Sequence, residues 1–223
     1  KVVQDLNLLP ITSAKAAGRP YILGETGFHG LDYEMDSTFG SAIQITDKTL
    51  RALTLGIQRL FYHQVLTDPE AFFNWWWSDH VNAPFYDAYF GALAVAGGDS
   101  IVASDDGPDP YAQCILYKNG KAFKVVLIST DYYSGDGTRS ETKFTLTGLK
   151  SNSVKALRMT GPSSETTVPV TQTKSSLQPS IGGQSFSNKD CELGGKQKTE
   201  KLSVKKGKLE VTLKASEALI VYL

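Results

Sequence analysis

The chain has 223 residues, room for one large domain or two modest ones that each bury a core. Lys and Arg together number 23, as do Asp and Glu, so the formal charge is zero and no basic field exists to hold nucleic acid or an acidic membrane surface. The composition, 41% hydrophobic and 21% charged, is that of an ordinary globular protein, and no stretch approaches the roughly 18 unbroken apolar residues of a membrane span.

Charge and aromatics are unevenly spread. Residues 1–97 hold 6 Lys and Arg against 10 Asp and Glu, with all three His and all three Trp; residues 98–223 hold 17 against 13. The second part is rich in the Thr, Ser, Val and Lys of two-faced strands, so the chain divides near Gly97-Gly98 into an acidic, aromatic part and a basic, β-rich one.

In chain order, residues 2–17 carry a broken helical period interrupted by Pro10 and ended by Gly18-Arg19-Pro20. Tyr21 to Thr26 predicts a short strand that ends in a carboxylate, Glu25, with Gly27 and Gly30 in the loop beyond. Asp36-Ser37 predicts an N-cap for a helix with Phe39, Ile43, Leu50 and Leu53 on one face and Gly56 as its stop. The run Ile57–Leu66 suits a second buried strand, followed by an aromatic loop through Trp75-Trp76-Trp77 and a helix with Pro84 in its first turn. This β/α alternation is that of a parallel sheet with crossover helices, although two such units cannot close a barrel.

From residue 111 the period changes to two. Gln113–Lys118, Asn119-Gly120 and Ala122–Ser129 predict a hairpin with a type I′ turn. Strands are predicted at 143–149, 154–159, 166–171, 201–204, 209–214 and 218–223, the spacing of an antiparallel sandwich, with residues 175–195 as a long surface excursion. The fold class expected is therefore α/β plus all-β. Cys114 and Cys191 enclose a loop of the length a disulfide would close in an oxidising compartment; two buried free thiols would give the same pattern. No Cys/His cluster has metal-ligand spacing, so no metal is expected. The chain opens on Lys1 without a signal peptide, as a processed or nicked product would.

Glu25 is the first candidate for chemistry, because the carboxyl end of a parallel strand is the face on which β/α barrels build active sites; a solvated loop residue is the plain alternative. The segment Ile22-Leu23-Gly24-Glu25-Thr26-Gly27-Phe28-His29-Gly30 and the following Asp36-Ser37-Thr38-Phe39-Gly40 resemble the end of the seventh strand, and the loop and helix after it, of glycoside hydrolase family 79, the β-glucuronidase and heparanase family. The likeness runs on through 53–64, Asn82-Ala83-Pro84-Phe85-Tyr86, 181–191 and 215–223, and fungal members are the most similar.

The resemblance implies the C-terminal portion of a (β/α)8 TIM barrel at 1–97, incomplete in this chain, followed by an antiparallel β-sandwich at 98–223. It implies cleavage of β-glucuronides with retention, which takes two carboxyl groups about 5–5.5 Å apart, one attacking the anomeric carbon and one serving as acid and base. Glu25 matches the nucleophile. The family's acid/base follows an Asn, and none of the six Asn here precedes a Glu, so that group is expected on a missing or separate N-terminal barrel portion, as in members that work as two chains. Asp32, Glu34, Asp36, Asp79 and Asp87 are nearby in sequence, but loop and capping roles account for them.

The turn that meets the glucuronate carboxylate in the family reads Phe28-His29-Gly30-Leu31 here, which makes His29 and Gly30 its candidate substitutes and departs from the family pattern. Tyr62, His63 and Gln64 end the last strand, where hydroxyl-binding side chains emerge; only alternate residues of a strand share a face, so at most two can meet the sugar, and Tyr62 and Gln64 are taken as binding candidates. Trp76 is a candidate wall for a sugar ring, with packing under the loop as the alternative. No cofactor is implied, and an extracellular, secreted setting is. The rival readings are a non-catalytic carbohydrate- or protein-binding fragment and a related retaining glycosidase with another sugar specificity.

Overall fold

A computed structural model describes residues 10–27, 32–64, 75–76, 80–105, 111–169, 177–188 and 190–223. Residues 10–16 are helical (α1), and β1 (Ile22–Thr26) pairs in parallel with β2 (Arg59–Tyr62) across a connection that contains α2 (Tyr33–Asp36) and α3 (Phe39–Thr54). α4 (Phe85–Val95) follows. The β-rich part starts with β3 (Ser100–Ala103), which the sequence reading did not anticipate, then the hairpin β4 (Tyr111–Lys118) and β5 (Lys121–Ser129), β6 (Glu141–Leu146) and β7 (Ser153–Thr160). Three two-residue strands come next, β8 (Ser180–Ile181), β9 (Ser185–Phe186) and β10 (Leu193–Gly194), then β11 (Glu200–Ser203), β12 (Leu209–Lys214) and β13 (Glu217–Tyr222).

The main sheet runs β11-β7-β13-β5-β4-β3, all neighbours antiparallel, with β8 on β7. The pair β12-β6 covers one face and α3 and α4 cover the other, so this sheet is buried on both sides. That is why β5 reads Val125-Val126-Leu127-Ile128 and β13 reads Ala218-Leu219-Ile220-Val221 with no polar alternation. Val126, Ile128, Ala218 and Ile220 pack toward the helices, and Val125, Leu127, Leu219 and Val221 toward Phe144, Leu209 and Leu213 of the covering pair. Asn119 and Gly120, at φ 52° and 70°, form the hairpin turn expected of them.

α3 joins the two parts. Phe39, Ala42, Ile43 and Leu50 lie against the main sheet, whereas Ala52 packs with Leu23 and Leu60 of the parallel strands. Thr38, rather than Asp36 or Ser37, is its N-cap, and its first free N–H groups are met from the sandwich: Phe39 donates to the carbonyl of Thr166 at 2.8 Å and Gly40 to that of Ser164 at 2.7 Å. Its other end is a Schellman close, with Gly56 (φ 83°) donating to Leu53 and Ile57 to Ala52 while Ile57 packs on Ala52. Arg51, buried and paired with Asp47 of its own helix at 2.7 Å, ties the helix to the sheet through Asp105 at 3.1 Å and the carbonyl of Tyr111 at 3.0 Å. Lys124 of β5 caps α4, donating to the carbonyls of Leu93, Ala94 and Ala96, three of the groups a helix C-terminus leaves unbonded.

Three expectations are corrected. No disulfide forms: both cysteines are free, because Cys114 points from β4 into the core between sheet and helices while Cys191 sits on an exposed turn at φ 58°. Burial, with Asp105 and Asp47 beside it, pushes the Cys114 thiol up to about 12, an inert packing residue. Within the 175–195 segment, residues 179–188 are no surface excursion. Ile181 and Phe186 are buried, Phe186 against Phe85, Tyr86 and Tyr89, and its N–H donates to the Tyr86 hydroxyl at 2.8 Å. Gly182-Gly183 marks a turn tight enough that a Cβ at Gly182 would lie 2.6 Å from Leu157. Residues 166–169 form no strand, and 170–176 lie outside the described residues.

Two predictions follow from α3. A Cβ at Gly161 would lie 2.7 Å from Cδ1 of Phe39, whose ring is fully buried and cannot yield. Gly161→Ala should lower stability by about 1–3 kcal/mol, read as a fall in the midpoint of thermal unfolding. Asp87 of α4 is buried against Thr46 of α3, whose hydroxyl lies 2.7 Å from Asp87 Oδ1 and 2.9 Å from the carbonyl of Ala42. Burial pushes its carboxyl up to about 7, against the lowering effect of Thr46. The Thr46 hydroxyl is the donor to Asp87 and is shared with the carbonyl of Ala42. Since the native state holds the Asp87 proton more tightly than the unfolded chain, the stability it gives is complete below about pH 4 and lost as pH rises through about 7. Asp87→Asn should therefore match the parent near pH 4 and exceed it at pH 8, by a few kcal/mol at most, in denaturant melts.

Candidate active site

The parallel pair β1-β2 presents one face to α3 and leaves the other open. Leu23, Thr26, Leu60 and Tyr62 are the half-buried positions; Ile22 and Phe61, each 48% exposed, stand on the open side. Strict alternation would put Glu25 on the same face as Leu23. It does not, because the register shifts between Leu23, paired with Leu60, and Thr26, paired with Tyr62, so that Gly24 and Glu25 together oppose Phe61. This β-bulge at the strand's C-terminal end re-aims Glu25. Its side chain is 71% exposed.

His63 faces it. The His63 N–H donates to the carbonyl of Thr26 at 3.0 Å, continuing the ladder by one residue, and Nδ1 comes within 3.2 Å of Glu25 Oε1. Lys48 of α3 donates to the carbonyl of Gly27 at 2.8 Å and so holds the end of β1 just beyond the carboxylate; burial lowers its pKa. Helix, bulge and ladder together place one carboxylate and one imidazole at the C-terminal edge of two parallel strands.

The other predicted site residues separate. Tyr62 does not project onto the Glu25 face: its hydroxyl hydrogen-bonds Thr49 of α3 and its ring packs on Trp75 at 5.2 Å. Burial, reinforced by the nearby Asp87, holds the phenol far above its ordinary range, so it serves as a support rather than as an acid or base. Gln64 departs from the sugar contact expected of it, since both ends of its amide grip the aromatic loop: Nε2 donates to the carbonyl of Trp76 at 3.0 Å and Oε1 accepts from the N–H of Trp75 at 2.8 Å. Trp76 is thereby set on the rim, part exposed, with its edge against Phe85 at 6.2 Å. His29 and Gly30 lie outside the described residues, as does Asp79.

The remaining nearby carboxylates have other work. Asp32 caps α2 through the N–H of Met35, and Asp36 and Asp87 are buried. Of Tyr62, His63 and Gln64 at the strand end, His63 is the one that meets Glu25. The sequence signal for it was the alternation itself, which puts His63 on the opposite side from Tyr62. Among the described residues no group of three or more His, Cys, Asp or Glu is close enough to hold a metal ion.

A search of curated protein sequences finds no match. Among solved structures the chain is similar to a 4-O-α-L-rhamnosyl-β-D-glucuronidase from Fusarium oxysporum solved with Rha-GlcA, with 33% identity, a TM-score of 0.86, and coverage of 96% of this chain and 45% of that one. Its fold is also shared with a bifunctional glucanase-xylanase from a metagenome library, at 12% identity and TM-score 0.55 over 95% of this chain and 33% of that one. A family 51 arabinofuranosidase from Xanthomonas axonopodis pv. citri, at 10% identity and TM-score 0.53 over 82% of this chain and 35% of that one, shares it as well. This chain thus spans less than half the length of each. Residues 113–220, from β4 to β13, match the family described as glycosyl hydrolase family 79 C-terminal beta domain, and 96% of this chain aligns with the Fusarium structure at 33% identity: the chain belongs to glycoside hydrolase family 79.

Proposed function

We propose that this chain supplies the nucleophile of a retaining glycoside hydrolase that cleaves β-glucuronides, with the acid/base carboxyl on an N-terminal barrel portion outside it. The observation that carries the proposal is the bulge that turns Glu25 out at the C-terminal end of a parallel strand, the position of barrel active sites. The exposed Ile22 and Phe61 support it, since an apolar sheet face whose two edges pair with no other strand among the described residues suits further strands laid beside it. The substrate class rests on the Fusarium relative's glucuronide ligand and on the family. An extracellular setting goes with the same reading.

In this mechanism His63 holds Glu25 Oε1, which leaves Oε2 to attack the anomeric carbon. The bond to the leaving oxygen breaks as the second carboxyl protonates it, forming a glycosyl ester on Glu25. Water, activated by that same second carboxyl, then displaces the ester and restores both groups, so configuration is retained. Trp76, braced by Gln64, walls the sugar from the rim.

In the assembled enzyme Glu25→Gln should lower kcat on an aryl β-glucuronide by about 10³-fold or more, with unchanged unfolding midpoint. Full activity in that variant contradicts the assignment. His63→Phe should cost roughly 10- to 100-fold in kcat with a smaller effect on KM, because it misplaces the nucleophile and leaves the substrate contacts in place.

A further inference from the structure

A cleft of about 680 Å³ is walled by α2 and the first turns of α3 on one side and by the 130–132 and 164–167 loops and Ser216 of the sandwich on the other. Its volume is within the roughly 300–1,000 Å³ of small-molecule sites. We propose that this cleft is a second saccharide-binding site, and that it takes a neutral sugar.

Charge sets the class. Asp32, Glu34 and Glu165 line the cleft, and the described lining residues include no Lys, Arg or His, so a uronate or a phosphate meets only repulsion there. Carboxylates facing a cleft can accept from the vicinal hydroxyls of a neutral sugar. Flat apolar surface is available as well. Tyr132 is 67% exposed, with its hydroxyl bonded to Glu165 Oε1, which fixes the ring; Met35 is exposed from the opposite wall. A fixed aromatic ring beside carboxylates offers a pyranose both its C–H face and its hydroxyl edge a partner.

The observation pointing to a ligand is Ser41. This residue lines the cleft, is only 1% exposed, and its Oγ has no hydrogen-bond partner. Buried hydroxyls are as a rule satisfied, and its neighbours are: Ser37 bonds the carbonyl of Glu34, Thr38 that of Met35, and Ser164 bonds Ser216. A ligand hydroxyl brought up to Ser41 would complete it. The site is separate from the proposed chemistry at Glu25, since neither Glu25 nor His63 lines the cleft.

The test is an amide-resolved NMR titration of the isotope-labelled protein with lactose, cellobiose and xylobiose, and with glucuronic acid. At least one neutral disaccharide should shift the amides of Ser41, Gln44, Tyr132 and Glu165 saturably, and glucuronic acid should leave them in place. Tyr132→Ala should weaken that binding about fivefold or more. Ser41→Ala should weaken it too without loss of stability, since that hydroxyl holds nothing in the free protein. The proposal is overturned if none of the three disaccharides shifts those amides, if both variants bind as the parent does, or if glucuronic acid binds there as well as the neutral sugars.

Discussion

The structure depends on α3 being buried on two sides at once. One stripe, Phe39, Ala42, Ile43 and Leu50, seals the main sheet; the other, with Lys48, Thr49 and Ala52, carries the parallel strands. A helix that is apolar on one face belongs to one layer, whereas this one belongs to two. The position of Glu25 is therefore set from the sandwich: main sheet to Phe39 and Arg51, through the helix to Lys48 and Thr49, and from there to the ends of β1 and β2. The sandwich acts as the foundation of the candidate site and not as an appendage beside it.

Polar groups at the seams reinforce the arrangement. Arg51 joins α3 to the β3–β4 end of the sheet, Lys124 closes the C-terminus of α4, and the 164–166 loop closes the N-terminus of α3. Each meets backbone or charge that would otherwise be buried unpaired, so each costs far more to break than its net contribution to folding. Asp87 is the exception in kind. It has a hydroxyl for a partner and no cation beside it in the protein's described contacts, and keeps its proton instead.

The sequence was readable where local chemistry decides. Asn119-Gly120 fixes its turn through positive φ, Gly56 stops α3 for the same reason, and the aliphatic runs of β5 and β13 follow from burial on both faces. Glu25 was legible as a carboxylate at a strand end. Its direction was not, since the bulge depends on pairing with β2, and period two predicts the wrong face. Gln64 and Tyr62 were placed correctly at the strand end but their partners, a loop backbone and Thr49, come from elsewhere in space. The glycine pairs near residue 182 read as loop because the anchoring of Ile181 and Phe186 in the core between sheet and helices is tertiary. Spacing between two cysteines says how long a closed loop would be, and nothing about which way each side chain points.

The central claim is that Glu25 forms the covalent bond to the sugar. Its most direct measurement is peptide mass spectrometry of the assembled enzyme after inactivation by a 2-deoxy-2-fluoro-β-glucuronide. One glycosyl unit is expected, on the peptide that contains Glu25 and on that carboxyl. A label on any other carboxylate would contradict it.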